Sequence, residues 1–479
     1  MKLIRYFIAL LILTGGACNN TPDSKQSNQN EQVMLAQTPP MGWNSFDSYG
    51  VYLHEEAAME NLEAIAEKLK PHGYEYFVID AGWFGEFELR PGTIYPAEKH
   101  AKKMNYNEYG LLQPSETYFP SGLQPIIDRC HELGLKFGLH LMRGIPREVV
   151  QKDLPIKGTN YTAVDIADTT SICVWNDQNY GVDMSKPGAQ EFYNSLINQM
   201  AEWGVDFIKY DDLVPYPEEI KAISIAIEQC GRPMVYSLSP GNDANPNHID
   251  AFKTAHMLRV TPDIWDEQEG IDQCFDAWRK WQGKEEPGFW IDMDMIPFGK
   301  LQLMNPKPEG ISGHESKGEL REMMAAGELE KMELLSGKGF TRWSEFTDDQ
   351  MYTFITLRAL AASPLMMGGD LPTLDDLSLM LITHEDMIAC NQNGVMGSLK
   401  FDDGGIEVWN TSEKGTSDGW IGIFNRTDSE KSVSLEETNL GLTSESSYHL
   451  RDIWNDKLVT DLDFTINPNG VVFLEYKMK

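Results

Sequence analysis

The sequence predicts a (β/α)₈ barrel of the TIM type followed by a C-terminal antiparallel β-sandwich. The first observation is an alternation of short apolar runs with helix-like stretches between about residues 37 and 395. The second is that polar residues lie at the ends of these runs, where the loops of a barrel converge. The third is a change after about residue 396, where short strands are separated by Gly, Asn, Asp and Ser. We therefore expect an α/β barrel over residues 37–395 and a sandwich over residues 396–479.

The composition is that of an acidic globular protein. The 479 residues include 40 Lys plus Arg and 73 Asp plus Glu, for a formal net charge of −33. A hydrophobic share of 41% argues against a mainly disordered chain. Because phosphate binding needs a basic stripe and none is present, the charge argues against nucleic acid as a partner. The same charge argues against adhesion to an anionic membrane.

The N-terminus has the pattern of an export signal. A short positive region precedes an apolar run over residues 6–13, which is too short to span a bilayer but fits a secretory signal. Small residues then precede Cys18, as at a bacterial lipoprotein processing site. We expect a signal peptide over residues 1–17, a lipid anchor on Cys18 and a flexible tether over residues 18–36. The expected location is the periplasm or the cell surface, with plain secretion as the alternative.

The other cysteines show no disulfide or zinc pattern. They are odd in number, widely spaced and without a CxxC pair, so buried free thiols are expected. These residues are Cys130, Cys173, Cys230, Cys274 and Cys390.

Eight apolar runs are predicted as parallel barrel strands, because helix or long loop follows each of them. No glycine-rich phosphate loop follows the first run, which disfavours an open doubly wound sheet. The segment from Pro306 to Lys338 is interpreted as an inserted loop or short helix. The predicted strands are one near Met41–Trp43, then Tyr76–Asp80, Lys136–His140, Asp206–Asp211, Met234–Leu238, Met257–Val260, Phe289–Asp292 and Pro364–Met367.

The fourth run is the most informative for chemistry. Side chains alternate along a strand, so Lys209 and Asp211 point to one face while Ile208 and Tyr210 point to the other. If the apolar pair faces the helices, the charged pair faces the barrel interior, where it is costly to bury unless it pairs or serves a substrate. The ammonium would hold the carboxylate ionised, as a nucleophile requires. A purely structural salt bridge is the alternative.

A glycosidase needs a second carboxylate, and the loop after the sixth strand offers two. Asp263 and Asp266 follow Arg259, and Pro262 disfavours a helix directly before Asp263, so Asp263 can lie on a fixed loop over the barrel mouth. Either carboxylate is also compatible with an exposed loop acid that caps the next helix, and spacing alone does not choose.

Several blocks together resemble glycoside hydrolase family 27, which contains α-galactosidases and α-N-acetylgalactosaminidases. They occur in family order over residues 37–395. The blocks are Thr38–Ser45 (TPPMGWNS), the strand-end Asp80, Lys209-Tyr210-Asp211, Arg259-x-x-x-Asp263, Trp290-x-Asp292-x-Asp294-Met295, Ala361–Met366 and Ile388–Gln392.

The resemblance implies a retaining, exo-acting glycoside hydrolase. Asp211 matches the family nucleophile, which forms a covalent glycosyl-enzyme. Asp263 matches the general acid/base, which protonates the leaving oxygen and then activates water. Double displacement requires the two carboxyl groups to lie about 5–5.5 Å apart.

The resemblance also implies a sugar-binding set. Lys209 and Arg259 match positions that hydrogen-bond sugar hydroxyls, and Asp80 matches one that holds the far edge of the ring. Trp43 matches the aromatic wall of the subsite.

Two departures from the family pattern concern the bound sugar. Where α-galactosidases carry a second aspartate that grips O4 and O6, this chain has Ala81, which puts strict galactose selectivity in doubt. Where they place a bulky Glu near the C2 hydroxyl, this chain has Ser239. A small residue there accompanies room for a 2-acetamido group, so we place Ser239 in the substrate-binding site.

Two further departures lie near the nucleophile. His140 replaces a family tyrosine and is placed in the substrate-binding site. With Arg143 and Arg147 it is a candidate contact for an anionic substituent, although a His satisfying backbone groups is an equal reading. Leu213 replaces a cysteine, so the family disulfide is absent and Cys173 has no partner.

The favoured function is therefore an α-galactosidase-like hydrolase that releases terminal α-linked galactose or a related sugar from oligosaccharides or polysaccharides. α-N-Acetylgalactosaminidase is the nearest alternative, and β-L-arabinopyranosidase and α-glucan hydrolase stay open. A rival from another class is a non-catalytic glycan-binding lipoprotein. No cofactor is expected, since the mechanism needs none. No metal is expected either, because one Asp-x-Asp at Asp292 and Asp294 is a poor metal signal. The oligomeric state is open.

Overall fold

The computed structural model describes residues 34–87, 101–241, 244–303, 341–443 and 446–479. The predicted signal peptide, Cys18, the tether up to residue 33 and the predicted insertion Pro306–Lys338 lie outside these ranges. Within the described ranges, no helix has both the length and the apolarity needed to cross a bilayer.

Eight parallel strands form the barrel, as the sequence predicts. Each strand from β1 to β6 pairs with the next, and β8 pairs with β1. Ile296, just after β7, forms a parallel bridge with Met367 of β8 and closes the ring. The strands are β1 Met41–Asn44, β2 Tyr76–Ile79, β3 Lys136–Met142, β4 Phe207–Asp211, β5 Val235–Leu238, β6 Met257–Arg259, β7 Trp290–Asp292 and β8 Leu365–Met367.

Helices cover the outside of the barrel. In α5 the apolar residues recur with helical spacing and are buried, which fixes the face that packs inward. A capping box between Thr347 and Gln350 starts α6. The described helices of eight or more residues are α1 Glu55–Lys68, α2 Gln124–Glu132, α3 Ala189–Trp203, α4 Pro217–Gln229, α5 Gln268–Trp281, α6 Asp348–Leu360, α7 Asp376–Thr383 and α8 Glu385–Gln392.

The loop between β3 and α3 carries a small antiparallel sheet that the sequence analysis does not predict. Its strands are Ile145–Pro146, Asn179–Val182 and Ala167–Ile172, in that spatial order. Short helices at Arg147–Gln151 and Ala163–Ile166 complete this excursion beside the end of β4.

The interior of the barrel is filled by its own apolar cluster. Along β4, Phe207 belongs to this inner cluster, whereas Ile208 and Tyr210 pack into the outer core with the helices. Lys209 therefore faces inward, as the alternation predicts. The inner cluster consists of Tyr76, Val78, Phe207, Val235, Met257, Met295 and Met366.

The C-terminal strands form two antiparallel sheets around a separate core. A six-stranded sheet has the order β9-β10-β11-β16-β13-β14, and β12 pairs with β15. This sandwich packs on the barrel, since Trp278 of α5 stacks on Trp409 of β10 with ring centroids 3.8 Å apart. The strands are β9 Ser398–Asp403, β10 Ile406–Ser412, β11 Gly419–Asn425, β12 Lys431–Ser434, β13 Tyr448–Asp452, β14 Lys457–Val459, β15 Asp463–Ile466 and β16 Val471–Met478.

Candidate active site

Polar side chains gather at the carboxyl ends of the barrel strands. Asp80 follows β2, His140 lies on β3, Asp211 ends β4, Arg259 ends β6 and Asp292 ends β7. In (β/α)₈ barrels this edge is where catalytic residues lie.

Asp211 is partly buried, and both of its carboxylate oxygens accept hydrogen bonds. Its Oδ2 accepts a hydrogen bond from His140 Nε2 at 3.1 Å, and its Oδ1 accepts one from the Asp212 backbone N–H at 3.2 Å. The side chain is 15% exposed. Asp212 adopts a left-handed conformation with φ 57, which Asp and Asn tolerate better than most residues.

The surroundings of Asp211 favour its ionised form. Burial by itself raises the pKa of the carboxyl. The His140 hydrogen bond and charge oppose burial, and the charges of Lys209 and Arg259 act in the same direction. The net effect holds the pKa of Asp211 well below its usual range, so the group is a carboxylate at neutral pH, as nucleophilic attack requires.

The direct ion-pair partner of Lys209 is Asp80 rather than Asp211. Lys209 Nζ lies 2.8 Å from Asp80 Oδ2, and Asn44 Nδ2 donates to the same oxygen at 2.7 Å. Burial raises the pKa of Asp80, but the charges of Lys209 and His140 outweigh it and lower the pKa. Lys209 thus acts on Asp211 only through its charge, while it fixes Asp80 for hydrogen bonding.

The structure separates the two carboxylates that spacing could not. Asp263 is 62% exposed, and its Oδ1 accepts a hydrogen bond from Arg259 Nη2 at 2.6 Å. Asp266 is buried, pairs with Arg342 at 2.9 Å and accepts from the Glu345 backbone N–H at 2.7 Å. Asp263 is therefore exposed for contact with a ligand, whereas the carboxylate of Asp266 is occupied by partners within the protein.

Asp294 connects β7 to the Asp263 loop. Its carboxylate accepts from Arg259 Nη1 at 3.1 Å and from the Ile264 backbone N–H at 2.8 Å. Its own N–H donates to Asp292 at 2.9 Å, and burial raises the pKa of Asp292 to about 6. These contacts give both aspartates protein partners. Among the described residues no group of three or more His, Cys, Asp or Glu is arranged to hold a metal.

The prediction that Trp43 forms the aromatic wall is wrong. Trp43 is 0% exposed, stacks on Phe77 and donates from Nε1 to the Gly369 carbonyl at 2.8 Å. Strand alternation turns Asn44 inward instead. The aromatic ring at the site is Phe46, which is partly exposed, packs on the inner cluster and has Lys209 Nζ 5.8 Å from its centroid. Phe46 was not predicted from the sequence: it lies past the end of β1, at the start of the short helix Phe46–Tyr49, where strand alternation no longer applies.

Ser239 follows β5 at the carboxyl ends of the barrel strands. It is buried, and its Oγ has no hydrogen-bond partner in the described part of the chain. It lines a cavity that runs into the barrel interior together with Asn44, Lys209, Ser237, Arg259 and Asp294.

Arg143 is not available to an anionic substituent, and Arg147 lies in an ion pair at the surface. Arg143 is buried and paired with Asp212 and Glu219, and Arg147 pairs with Asp177. His140 contacts the nucleophile candidate rather than an anion-binding surface.

Three family models match successive parts of the chain. The Melibiase model matches residues 31–224, the alpha galactosidase A model residues 151–312, and the alpha galactosidase C-terminal beta sandwich model residues 403–476. The alpha-galactosidase A of Cellvibrio japonicus is 25% identical over 475 residues, covering 94% of this chain and 95% of that protein.

A solved β-L-arabinopyranosidase of family 27 from Geobacillus stearothermophilus is 37% identical with a TM-score of 0.80, and the alignment covers 92% of this chain and 97% of that one. The chain belongs to glycoside hydrolase family 27. The family 27 enzyme is also similar to a putative α-N-acetylgalactosaminidase from Bacillus halodurans, with 33% identity and a TM-score of 0.75 over the same shares of the two chains. It is an α-galactosidase-like glycoside hydrolase, as the sequence motifs predict.

Proposed function

We propose that the enzyme is an exo-acting, retaining glycosidase with Asp211 as nucleophile and Asp263 as general acid/base. The observation that carries this proposal is the contrast between Asp211, which is 15% exposed in surroundings that favour the carboxylate, and Asp263, which is 62% exposed and pairs with Arg259. Arg259 pairs directly with Asp263, and its charge also lowers the pKa of Asp211. One cation thus lies within electrostatic reach of both carboxylates.

The reaction then has two displacements. In the first, an Asp211 oxygen attacks the anomeric carbon, the bond to the leaving oxygen breaks, and Asp263 donates its proton to that oxygen. In the second, Asp263 takes a proton from water, the water oxygen attacks the anomeric carbon, and Asp211 is released. Asp80, fixed by Lys209 and Asn44, would accept hydrogen bonds from sugar hydroxyls, and Phe46 would offer an apolar ring face.

We further propose that terminal β-L-arabinopyranose is the preferred glycone and that α-D-galactose is the weaker one. These two sugars share their ring stereochemistry, and arabinopyranose lacks the C6 hydroxymethyl group. At position 81, where the α-galactosidase pattern has a carboxylate for O4 and O6, this enzyme has only the methyl group of Ala81. Its backbone N–H donates to Asp80 Oδ1 at 2.8 Å. The 37% identical relative is itself a β-L-arabinopyranosidase, which supports the same choice.

The test compares nitrophenyl β-L-arabinopyranoside with nitrophenyl α-D-galactoside. We expect the wild type to favour the arabinoside in kcat/KM. Ala81→Asp should shift the ratio toward the galactoside by about tenfold or more, because it restores a partner for O6. Ala81→Leu is the control, since it adds bulk without a carboxylate and should not favour the galactoside. A wild type that prefers the galactoside would refute this assignment of the glycone while leaving the mechanism intact.

A second glycone is supported by a separate observation. Ser239 is small, lines the cavity at the carboxyl ends of the strands, and has a buried Oγ without a hydrogen-bond partner in the described part of the chain, so no large side chain stands where the family pattern places a Glu near the C2 substituent. We therefore propose nitrophenyl α-N-acetylgalactosaminide as the next substrate to assay. Ser239→Glu should abolish its turnover and spare the arabinoside.

We also propose that the enzyme is exported and anchored through Cys18. The support is the apolar run over residues 6–13 and the small residues before the cysteine. In a fractionated host, Cys18→Ser should move the enzyme from the membrane fraction to the soluble exported fraction. An unchanged distribution would exclude the lipid anchor.

A further inference from the structure

Arg143 makes an unusually complete set of contacts beside the proposed nucleophile. It follows β3, and its guanidinium is buried with Nε 2.9 Å from Asp212 Oδ2 and Nη1 2.9 Å from Glu219 Oε1. Nη1 also donates to Ser171 Oγ at 3.1 Å, and the guanidinium stacks 3.6 Å from the Tyr216 ring centroid.

Arg143 also contacts the backbone of Asp211, the proposed nucleophile. The Arg143 N–H donates to the Asp211 carbonyl at 3.0 Å, while its side chain holds Asp212. The Asp212 N–H in turn donates to Asp211 Oδ1. Arg143 therefore contacts both ends of the peptide that aims the Asp211 carboxylate, and Asp212 keeps its left-handed φ under this restraint.

The partners of Arg143 are themselves fixed. Glu219 lies in the first turn of α4 and accepts a hydrogen bond from the Tyr193 hydroxyl on α3. A methyl group on Gly181 would come within 2.6 Å of Arg143 Nη1, so the guanidinium has little room to move. Arg143 with its partners Asp212 and Glu219, here called the Arg143 clamp, thus links β3, β4, α3 and α4 next to Asp211.

We propose that Arg143 is a positioning residue that sets the aim of the Asp211 carboxylate toward the anomeric carbon. It touches no substrate and acts through Asp212. This inference rests on the proposed role of Asp211 as nucleophile. The role needs a guanidinium with two separate donors, because Nε holds Asp212 and Nη1 holds Glu219.

The test separates attack from binding. A 5-fluoroglycosyl fluoride of the glycone that the wild type hydrolyses traps the covalent intermediate: Asp211 bonds to the anomeric carbon and fluoride leaves. Intact-mass spectrometry gives the trapping rate constant, and calorimetry gives the Kd of the free sugar. In Arg143→Met we expect the trapping rate constant to fall by roughly tenfold to hundredfold. The Kd should change by less than about threefold, because the sugar-contacting residues are untouched. Arg143→Lys should be intermediate, because it keeps the charge and loses the fork.

Arg426 supplies a matched control at the barrel–sandwich contact. It also pairs with two carboxylates, Asp272 and Glu407, at 2.6 Å each, and stacks on the ring of Phe275. Arg426→Met should lower Tm and leave the trapping rate constant unchanged.

The outcomes are distinct. The positioning role of Arg143 would be overturned by an unchanged trapping rate constant in Arg143→Met. It would also be overturned if the trapping rate constant and the sugar affinity fell together. If Arg143→Met does not fold, the same criteria apply to Arg143→Lys against Arg426→Lys. Peptide mapping of the trapped wild type locates the label. A label on a residue other than Asp211 would instead refute the nucleophile assignment.

Discussion

Asp211 at the end of β4 and Asp263 beyond β6 are both aspartates, yet their surroundings are opposite. Asp211 is 15% exposed, contacts His140 and the Asp212 N–H, and lies in the field of Lys209 and Arg259. Asp263 is 62% exposed, and its carboxylate pairs with Arg259. A nucleophile must be ionised and aimed before the substrate arrives, whereas an acid/base must exchange a proton with solvent in each cycle. The difference in burial therefore matches the two roles.

The largest expected effect comes from substituting Asp211, the less exposed of the two carboxylates. Asp211→Asn keeps the shape and loses the nucleophilic oxygen, so kcat for an aryl glycoside should fall by about 10⁴-fold or more. Asp206→Asn changes a carboxylate just before β4, at the opposite end of the barrel, and should keep near wild-type kcat. Substantial activity in Asp211→Asn would show that the nucleophile lies elsewhere.

Substitution of Asp263, the more exposed carboxylate, should lower kcat/KM by an amount that depends on the leaving group. Asp263→Asn removes the proton donor, so kcat/KM should fall by about 10²–10⁴-fold for a poorly activated alkyl glycoside. The loss should be far smaller for a dinitrophenyl glycoside, whose leaving group needs no proton. Asp266→Asn is the control: because Asp266 is buried against Arg342, its loss should lower Tm without any leaving-group dependence. Equal losses for both substrates in Asp263→Asn would contradict the acid/base role.

A smaller change should sharpen the electrostatic side of the comparison. His140→Phe removes a hydrogen bond and a charge that favour the Asp211 carboxylate, so the pKa of Asp211 should rise. The acidic limb of the kcat/KM profile should then move to higher pH, while Asp211 stays ionised at neutral pH, so the loss of kcat/KM should be confined to acidic pH.

His131 provides the matched control for that shift. It forms the same kind of contact with Asp206 at 2.8 Å, at the far end of the barrel. His131→Phe should leave the acidic limb in place. An unmoved limb in His140→Phe would mean that His140 does not tune the nucleophile.

The smallest expected effect separates Phe46 from Trp43. Phe46→Ala should raise KM by about threefold to tenfold, because the sugar loses an apolar ring face. Trp43→Phe should leave KM unchanged and reduce the free energy of unfolding by about 1–3 kcal/mol, since the ring is core. The opposite pattern would restore Trp43 as the platform.

The fold was largely predictable because the barrel strands are short apolar runs and most of them have a polar residue at or just after their end. Alternation along β4 was enough to turn Lys209 inward. The same rule applied to β1 selects Asn44 as the inward residue, but residue type and motif position favoured Trp43, and Phe46 lies beyond the strand, where the rule does not apply.

The rest depended on contacts that no local pattern records. Spacing alone leaves Asp263 and Asp266 equivalent, and in the structure they are separated by the pairing of Asp266 with Arg342, 76 positions away. The partner of Lys209 is Asp80 on another strand, 129 positions away. Tertiary pairing of this kind is visible only once the strands are assembled.

The most direct measurement is a crystal structure of the enzyme trapped with the 5-fluoroglycosyl fluoride. The account predicts a bond from the anomeric carbon to an Asp211 oxygen, with the Asp263 carboxyl on the opposite face of the sugar and about 5–5.5 Å from the Asp211 carboxyl. Attachment to another residue would contradict it, as would a carboxyl separation near the roughly 6.5–9.5 Å typical of inverting enzymes.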